Sequence, residues 1–294
     1  MKKKEIVWQV TSRYALVTCI NNGRGIVVEK EIAPSIVNFG NAVWVNETSM
    51  YFRKKLHEAK VLLAEPYICF EQDGKAIQQS PYVGLDLEKI FQKGNANQET
   101  FNKLINAISG VLSQTEPEVG IDARLSNFCL GPNEEIYYVD TFPPLVKYQG
   151  EFIVHFPNPT DPEIIYQEYK RKFDPMGILR RLRFSVLEQD AGFTEQNILA
   201  AISVVLGNSF SNKTEEFFQT FLDHMSIERA FEKISLDDPD GIRELALKFM
   251  PPKGKSREDF LREIFNLSSN FCPYKITKEE RIDIILELLS VHIK

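Results

Sequence analysis

The stretch Gly120-Ile-Asp-Ala-Arg-Leu-Ser-Asn127-Phe-Cys-Leu-Gly-Pro-Asn-Glu-Glu-Ile-Tyr-Tyr-Val-Asp140-Thr-Phe142 decides how this chain is read. Asp122 stands five residues before Asn127, and Asn127 thirteen before Asp140. The residues between Asn127 and Asp140 read as a tight hairpin. A hairpin there sets three oxygen-bearing side chains at one mouth of a small sheet. Phosphoryl transfer from a magnesium-bound nucleotide needs such a mouth. One carboxylate orients a hydroxyl, and an amide with a second carboxylate holds the metal.

Working outward, residues 98–113 form an amphipathic pattern, with Phe101, Leu104, Ile105, Ile108, Val111 and Leu112 on one side. Before it, Ser80-Pro-Tyr-Val-Gly84 breaks a sheet and 85–91 begins a short helix. Asp73-Gly74 predicts a hairpin between strands near 67–71 and 76–79. A helix is expected from an N-cap at Ser49, with Phe52, Leu56, Ala59 and Leu63 at helical spacing and Pro66 ending it. Tyr14–Ile20 and Ile26–Ile32 read as strands joined by the turn Asn21-Asn-Gly-Arg-Gly25. Pro34 and Gly40 mark a loop, and Asn41-Ala-Val-Trp-Val-Asn46 reads as a third strand. Toward the C-terminus the pattern is helical over 163–173, 175–188, 194–206, 214–234, 240–249, 256–265 and 277–293. A cleft at the connector near 84 is the default ligand site.

With 294 residues, the chain is ample for a sizeable core, and 43% hydrophobic with 26% charged residues fits a globular protein. A net charge of -6 argues against a broad grip on nucleic acid or an anionic membrane. No apolar run approaches the roughly 20 residues that span a bilayer. The basic start lacks the apolar stretch of a signal peptide. Cys19, Cys69, Cys129 and Cys272 form no C-x-x-C pair and read as reduced thiols of a cytoplasmic protein. The four His residues show no ligand spacing.

These residues together resemble the protein-kinase-like superfamily, and within it the aminoglycoside and choline phosphotransferase branch. The resemblance covers about 14–145. Asp122 and Asn127 match the catalytic loop, and Asp140-Thr-Phe142 matches the metal-binding D-F-G. Pro81-Tyr-Val-Gly-Leu-Asp-Leu87 matches the hinge, which assigns nucleotide contacts to Tyr82 and Val83. The helix at 56–63 matches the one whose Glu pairs with the phosphate-binding Lys, which maps that role onto Glu58. The resemblance implies an α+β, bilobal fold with a small strand-rich N-lobe (1–83) and a larger helical C-lobe (84–294). It implies ATP and magnesium as cofactors. Asp122 and Arg124 are then the catalytic residues, Asn127 and Asp140 the metal ligands. Arg124 stands where protein kinases place a Lys that touches the transferring phosphate.

Four departures accompany it. The strand expected to carry the Lys reads Ala42-Val-Trp-Val-Asn46, with Asn in place of Lys; Lys30 on the neighbouring strand is the replacement candidate. Gly120 replaces the catalytic-loop His, Phe142 replaces the D-F-G glycine, and the glycine-rich loop shrinks to Gly23-Arg-Gly25. Each residue also has a plain structural reading. Asp122 is a turn cap, Glu58 a solvated partner of Lys54, Lys55 or Lys60, and Lys30 a surface residue in Glu-Lys-Glu. Lys170-Arg-Lys172 and Arg180-Arg-Leu-Arg183 read as a solvated basic face, or as a grip for an anionic substrate or acidic partner. Phe217, Phe218, Phe221 and Phe231 read as core. The leading expectation is an ATP-dependent phosphotransferase acting on a small-molecule hydroxyl, with nucleotide and acceptor as partners. The alternatives are a pseudokinase that binds nucleotide or a protein partner without catalysis, and a helical interaction protein with no nucleotide site.

Overall fold

The computed structural model describes residues 5–12, 14–23, 25–32, 42–94 and 96–187, with Gln189 and a few helical positions between 197 and 204. The chain divides into two compact units, Met1–Ser209 and Phe210–Lys294, and every described residue belongs to the first. The helices expected over 214–293, with their aromatic residues, lie outside the described residues.

Five strands open the fold: β1 (Glu5–Thr11), β2 (Ala15–Asn21), β3 (Ile26–Ile32), β4 (Ile68–Gln72) and β5 (Lys75–Pro81). They form one antiparallel sheet in the order β1-β2-β3-β5-β4. Local chemistry makes its turns. Asn21 and Asn22 accept, through their side-chain oxygens, the N–H groups of Gly23 (3.0 Å) and Gly25 (3.1 Å). Asp73 (φ 52°) and Gly74 (φ 74°) are both left-handed, the pair that a two-residue hairpin turn demands.

The strand expected at 41–46 is instead the start of helix α1 (Ala42–Glu58). Trp and Val favour strands, but Ala42, Val45, Ser49, Phe52 and Leu56 recur every three or four residues and are all buried. Burial of one continuous stripe against β4 and β5 outweighs the local preference. Ser49 is accordingly not an N-cap. It lies buried in mid-helix, where its Oγ accepts a hydrogen bond from Gln78 Nε2 at 2.9 Å. The stripe meets the segment after Asp140. Ala42 and Val45 share a core cluster with Phe142 and Phe156, and Trp44 stacks on Phe156 at 5.2 Å.

Past α1 the chain is held by Arg53, which is buried. Its guanidinium donates to the Ala64 carbonyl (2.8 Å) and the Glu65 carboxylate and lies 4.0 Å over the Tyr67 ring. Burial pushes the Glu65 carboxyl upward, but hydrogen bonds from Arg53 and His57 outweigh it and hold it below its ordinary 4.5. A lowered folded value means that this contribution is present above about 4.5 and is lost as pH falls through the folded value. Glu65→Gln is therefore expected to destabilise at neutral pH and to converge with the parent below that range. Urea midpoints measured across the acid limb check this. A gap that stays constant with pH excludes the linkage.

A connector follows β5. Leu85–Asp86 forms β6, which pairs with β7 (Phe128–Leu130), and β7 pairs with β8 (Ile136–Tyr138). Asp86 caps the short helix α2 (Leu87–Gln92), accepting from the Lys89 N–H at 2.9 Å. Asn97 caps α3 (Gln98–Leu112) in the same way, and the six apolar residues expected on one side of α3 are all buried. A hairpin absent from the sequence reading follows: β9 (Val146–Tyr148) and β10 (Glu151–Ile153), turning on Gln149 and Gly150. Helices α4 (Pro162–Lys172) and α5 (Pro175–Leu187) fall close to their expected bounds. The described chain is thus α+β, with an antiparallel sheet first and helices after it. Among the described residues, no helix is long and apolar enough to cross a membrane.

Candidate functional site

Ile121, Ala123 and Leu125 are buried while Asp122 is half-buried and Arg124 exposed, the alternation of an extended segment with one face on a core. Two backbone bonds clamp it: Gly120 N–H to Leu145 O (2.9 Å) and Ile121 N–H to Lys172 O (2.8 Å). A side chain at position 120 has no room, since a Cβ there falls 2.5 Å from the Lys172 carbonyl oxygen. Packing therefore requires glycine at position 120.

A single 3-10 turn, Leu125–Asn127, then reverses the chain. Asn127 Nδ2 donates to the Asp122 carbonyl at 2.9 Å, closing the loop and turning its Oδ1 to other partners. Phe128 pairs with Tyr138, and the Val139 N–H donates to Asn127 O at 2.9 Å. Asp140 follows immediately, beside Asn127. The Asp122 N–H points at the Tyr138 hydroxyl at 3.4 Å. Complete burial pushes that hydroxyl well above its ordinary pKa, with Asp140 and then Asp122 adding to the effect. Asp122, Asn127 and Asp140 therefore share one locus around the end of the β7–β8 hairpin.

Lys30 joins them from β3. Its Nζ lies 2.9 Å from Asp140 Oδ1 and 3.4 Å from the Val139 carbonyl. The reading of Lys30 as a surface residue is corrected: its side chain is 18% exposed and that of Asp140 30%. Strand alternation separates it from its acidic neighbours. Glu29 accepts from Gln79 (2.6 Å) and Glu31 pairs with Lys75, while Lys30 reaches Asp140.

Glu58 does not meet Lys30. It pairs with Lys55 at 3.0 Å and Lys54 at 3.9 Å on its own helix, so the mapping onto Glu58 fails and the solvated pair is what forms. Lys55 is tied first to Glu118 and then to Glu58, which together hold its ammonium above its ordinary value. Opposite Lys30 across the sheet stands Gln78, bonded to Ser49 of α1. Among the described residues, no carboxylate from α1 takes the expected place.

Tyr82 and Val83 follow β5, and the Tyr82 N–H donates to Ile26 O at 3.0 Å. Burial, then the Cys129 and Cys19 thiols, push the Tyr82 hydroxyl up, although the residue as a whole is exposed. Burial pushes the Cys129 thiol up to about 12. Val83 is half-buried. The next residue, Gly84, has φ +148°, and a Cβ there would fall 2.0 Å from Leu130 O. The connector thus presses directly on β7.

One group was missed in the sequence. Arg181 of α5 donates through Nε to Asp122 Oδ1 at 3.4 Å, and Arg124 Nε lies 3.6 Å from Oδ2. The reading of the basic clusters as a solvated face is corrected, because Lys172, Arg181 and Arg183 are all buried. Lys172 Nζ bonds the Val154 carbonyl at 2.8 Å and Glu168 at 2.7 Å. Burial pushes its amine below the ordinary value, with Glu168 opposing. Leu125 N–H donates to Ser185 Oγ at 2.9 Å, so α5 also supports the loop backbone. The signal that could have located Arg181 is the apolar pair Ile178 and Leu182, which turns it inward on α5.

Among the described residues, no three His, Cys, Asp or Glu side chains converge. The oxygens at the mouth come instead from Asp122, Asp140 and the Asn127 amide, hard donors suited to magnesium rather than to zinc. Lys30, Arg124 and Arg181 bring positive charge to the same carboxylates. The arrangement can hold a divalent cation, neutralise phosphate and orient a hydroxyl at Asp122. No family model and no curated protein sequence matches this chain.

Proposed function

We propose that the chain is a kinase-like phosphotransferase that uses magnesium-ATP and a small-molecule hydroxyl acceptor, on a bilobal fold hinged at Tyr82-Val83-Gly84. One observation carries the reading: Lys30 and Asp140 pair at 2.9 Å beside the Asn127-to-Asp122 clamp. With β1 counted, Lys30 stands on the third strand of the sheet, the strand on which protein kinases carry their phosphate-binding Lys. The expected departure at Asn46 then disappears, because that segment is helix.

The roles follow from position. Lys30 holds Asp140 and offers its ammonium to phosphate oxygens. Asn127 and Asp140 would hold magnesium, and Tyr82 and Val83 would border the base. Asp122 orients the acceptor hydroxyl and takes its proton. Bound magnesium-ATP would supply the phosphoryl group and neutralise its developing charge. Among the described residues, a short β9–β10 hairpin rather than a long loop follows Asp140, which favours a small acceptor.

A second reading is nucleotide binding without transfer. It is favoured by the ion pairs on both carboxylates, Asp122 with Arg181 and Arg124, Asp140 with Lys30. Thermal unfolding with millimolar magnesium-ATP, together with an ATP-turnover assay, separates the two. Stabilisation with turnover is the expected result. Asp122→Asn is expected to keep the stabilisation and lose turnover by about 10²–10⁴-fold, the usual contribution of a general base. Stabilisation without turnover, unchanged in Asp122→Asn, selects the second reading. No stabilisation at all sinks both.

A further inference from the structure

The chain carries a net charge of -6, yet residues 168–183 hold six basic and two acidic residues, and this segment abuts Asp122. Arg124 and Arg181 flank the Asp122 carboxylate at 3.6 and 3.4 Å. The carboxylate that receives the acceptor is therefore paired with two cations from different elements. Glu168, an acid of the same segment, is spent on Arg171 and Lys172.

These cations are not equivalent. Arg181 is buried, with its side chain 9% exposed. Arg124 is 53% exposed, and among the described residues its ion pair is with Asp122 through Nε alone. A guanidinium this exposed offers a planar fork that matches a carboxylate or phosphate in two parallel hydrogen bonds.

We propose that the alcohol presented to Asp122 carries an anionic group, a carboxylate or a phosphate, that docks on Arg124. This rests on the phosphotransferase reading for the role of Asp122. Because Arg124 lies within 3.6 Å of that carboxylate, the anion sits close to the reacting hydroxyl, as in a short hydroxy acid or a vicinal phosphate ester. The acceptor oxygen forms the new O–P bond as the γ-phosphorus leaves its bridging oxygen. The electron pair of the broken bond stays on ADP, and the hydroxyl proton passes to Asp122. A cationic amino alcohol would have to enter beside Arg124 and Arg181, and is disfavoured.

The test uses the full chain and thermal unfolding at fixed ionic strength. The probes, at matched millimolar concentration, are glycerate, glycerol 3-phosphate, glycerol and choline. Either anion, or both, is expected to raise the melting temperature, while glycerol and choline are not; which anion acts identifies carboxylate or phosphate. Arg124→Glu is expected to weaken anion binding by about tenfold to a hundredfold, the range for a charge-assisted contact. Arg124→Gln gives the same direction with a milder change at this exposed position. Stabilisation by choline or glycerol equal to that by the anions overturns the proposal, as does an anion shift unaltered in both variants. Magnesium-ATP alone is run in parallel. A shift with ATP but with neither anion sinks this proposal and leaves the phosphotransferase reading. A shift with an anion but not with ATP removes that reading, and the acceptor role with it.

Discussion

Lys30→Met is expected to abolish stabilisation by magnesium-ATP and to cut phosphoryl transfer by about 10²–10³-fold, the cost of losing one preorganised charge at a reacting group. Methionine keeps most of the aliphatic stem, so β3 packs as before and only the ammonium is lost. Removing a partly exposed ion pair costs the fold about 1 kcal/mol or less. Asp140 is left without its 2.9 Å partner, and the phosphates without their cation from the sheet. Lys30→Arg separates charge from geometry. It restores the charge, but its rigid fork cannot reproduce a single Nζ contact to both Asp140 and the Val139 carbonyl, so recovery is partial. Isothermal titration with magnesium and a non-hydrolysable ATP analogue checks the binding arm. Equal affinity in Lys30→Met and the parent would remove Lys30 from the nucleotide site.

Gly84→Ala is expected to destabilise the protein by about 2–5 kcal/mol, combining a backbone angle closed to L-residues with overpacking. Its φ is +148°, and the added Cβ would fall 2.0 Å from Leu130 O, a backbone atom held in the β6–β7 ladder. Neither side can yield as a flexible side chain would. The strain lands between Tyr82-Val83 and Cys129, so nucleotide affinity is expected to fall together with stability. Gly94→Ala serves as the control. Its φ is also positive (+66°), but nothing lies within 4 Å of its Cβ. A urea midpoint for Gly84→Ala within error of the parent would show that the connector is not rigidly seated on β7.

Local chemistry was legible where it acts alone. The turns at Asn21–Gly25 and Asp73-Gly74 and the apolar face of α3 stand as the sequence predicts, whereas α1 ends at Glu58 and does not run on to Pro66. The start of α1 was not, because Ala42-Val-Trp-Val has the composition of a strand, and only its burial against β4 and β5 makes it helical. The place of Lys30 was hidden separately, because β1 was not counted and Lys30 was set on the second strand rather than the third. The association of Asp122, Asn127 and Asp140 was legible from their spacing around a hairpin. The pairing of Arg181 was not, because it is 59 residues from Asp122: the apolar pair Ile178 and Leu182 marks the arginine as inward-facing but not what it meets. Glu58 shows the converse. Its spacing suggested a long-range partner, but Lys55 is three residues away and took it.

The β7–β8 register bears on how the chain tolerates change in length. Asn127 and Asp140 are thirteen residues apart, but the Phe128–Tyr138 pair and the Val139-to-Asn127 bond fix their neighbourhood, not the residues between. The tip at Asn133 and Glu134 is exposed, and beyond its own turn it is tied by an ion pair from Glu134 to Lys103. An epitope or a fluorophore-binding peptide spliced in there is expected to leave the mouth of the hairpin unaltered. The motif's spacing is then an accident of turn length, and related chains should be sought by strand pairing with the interval left free.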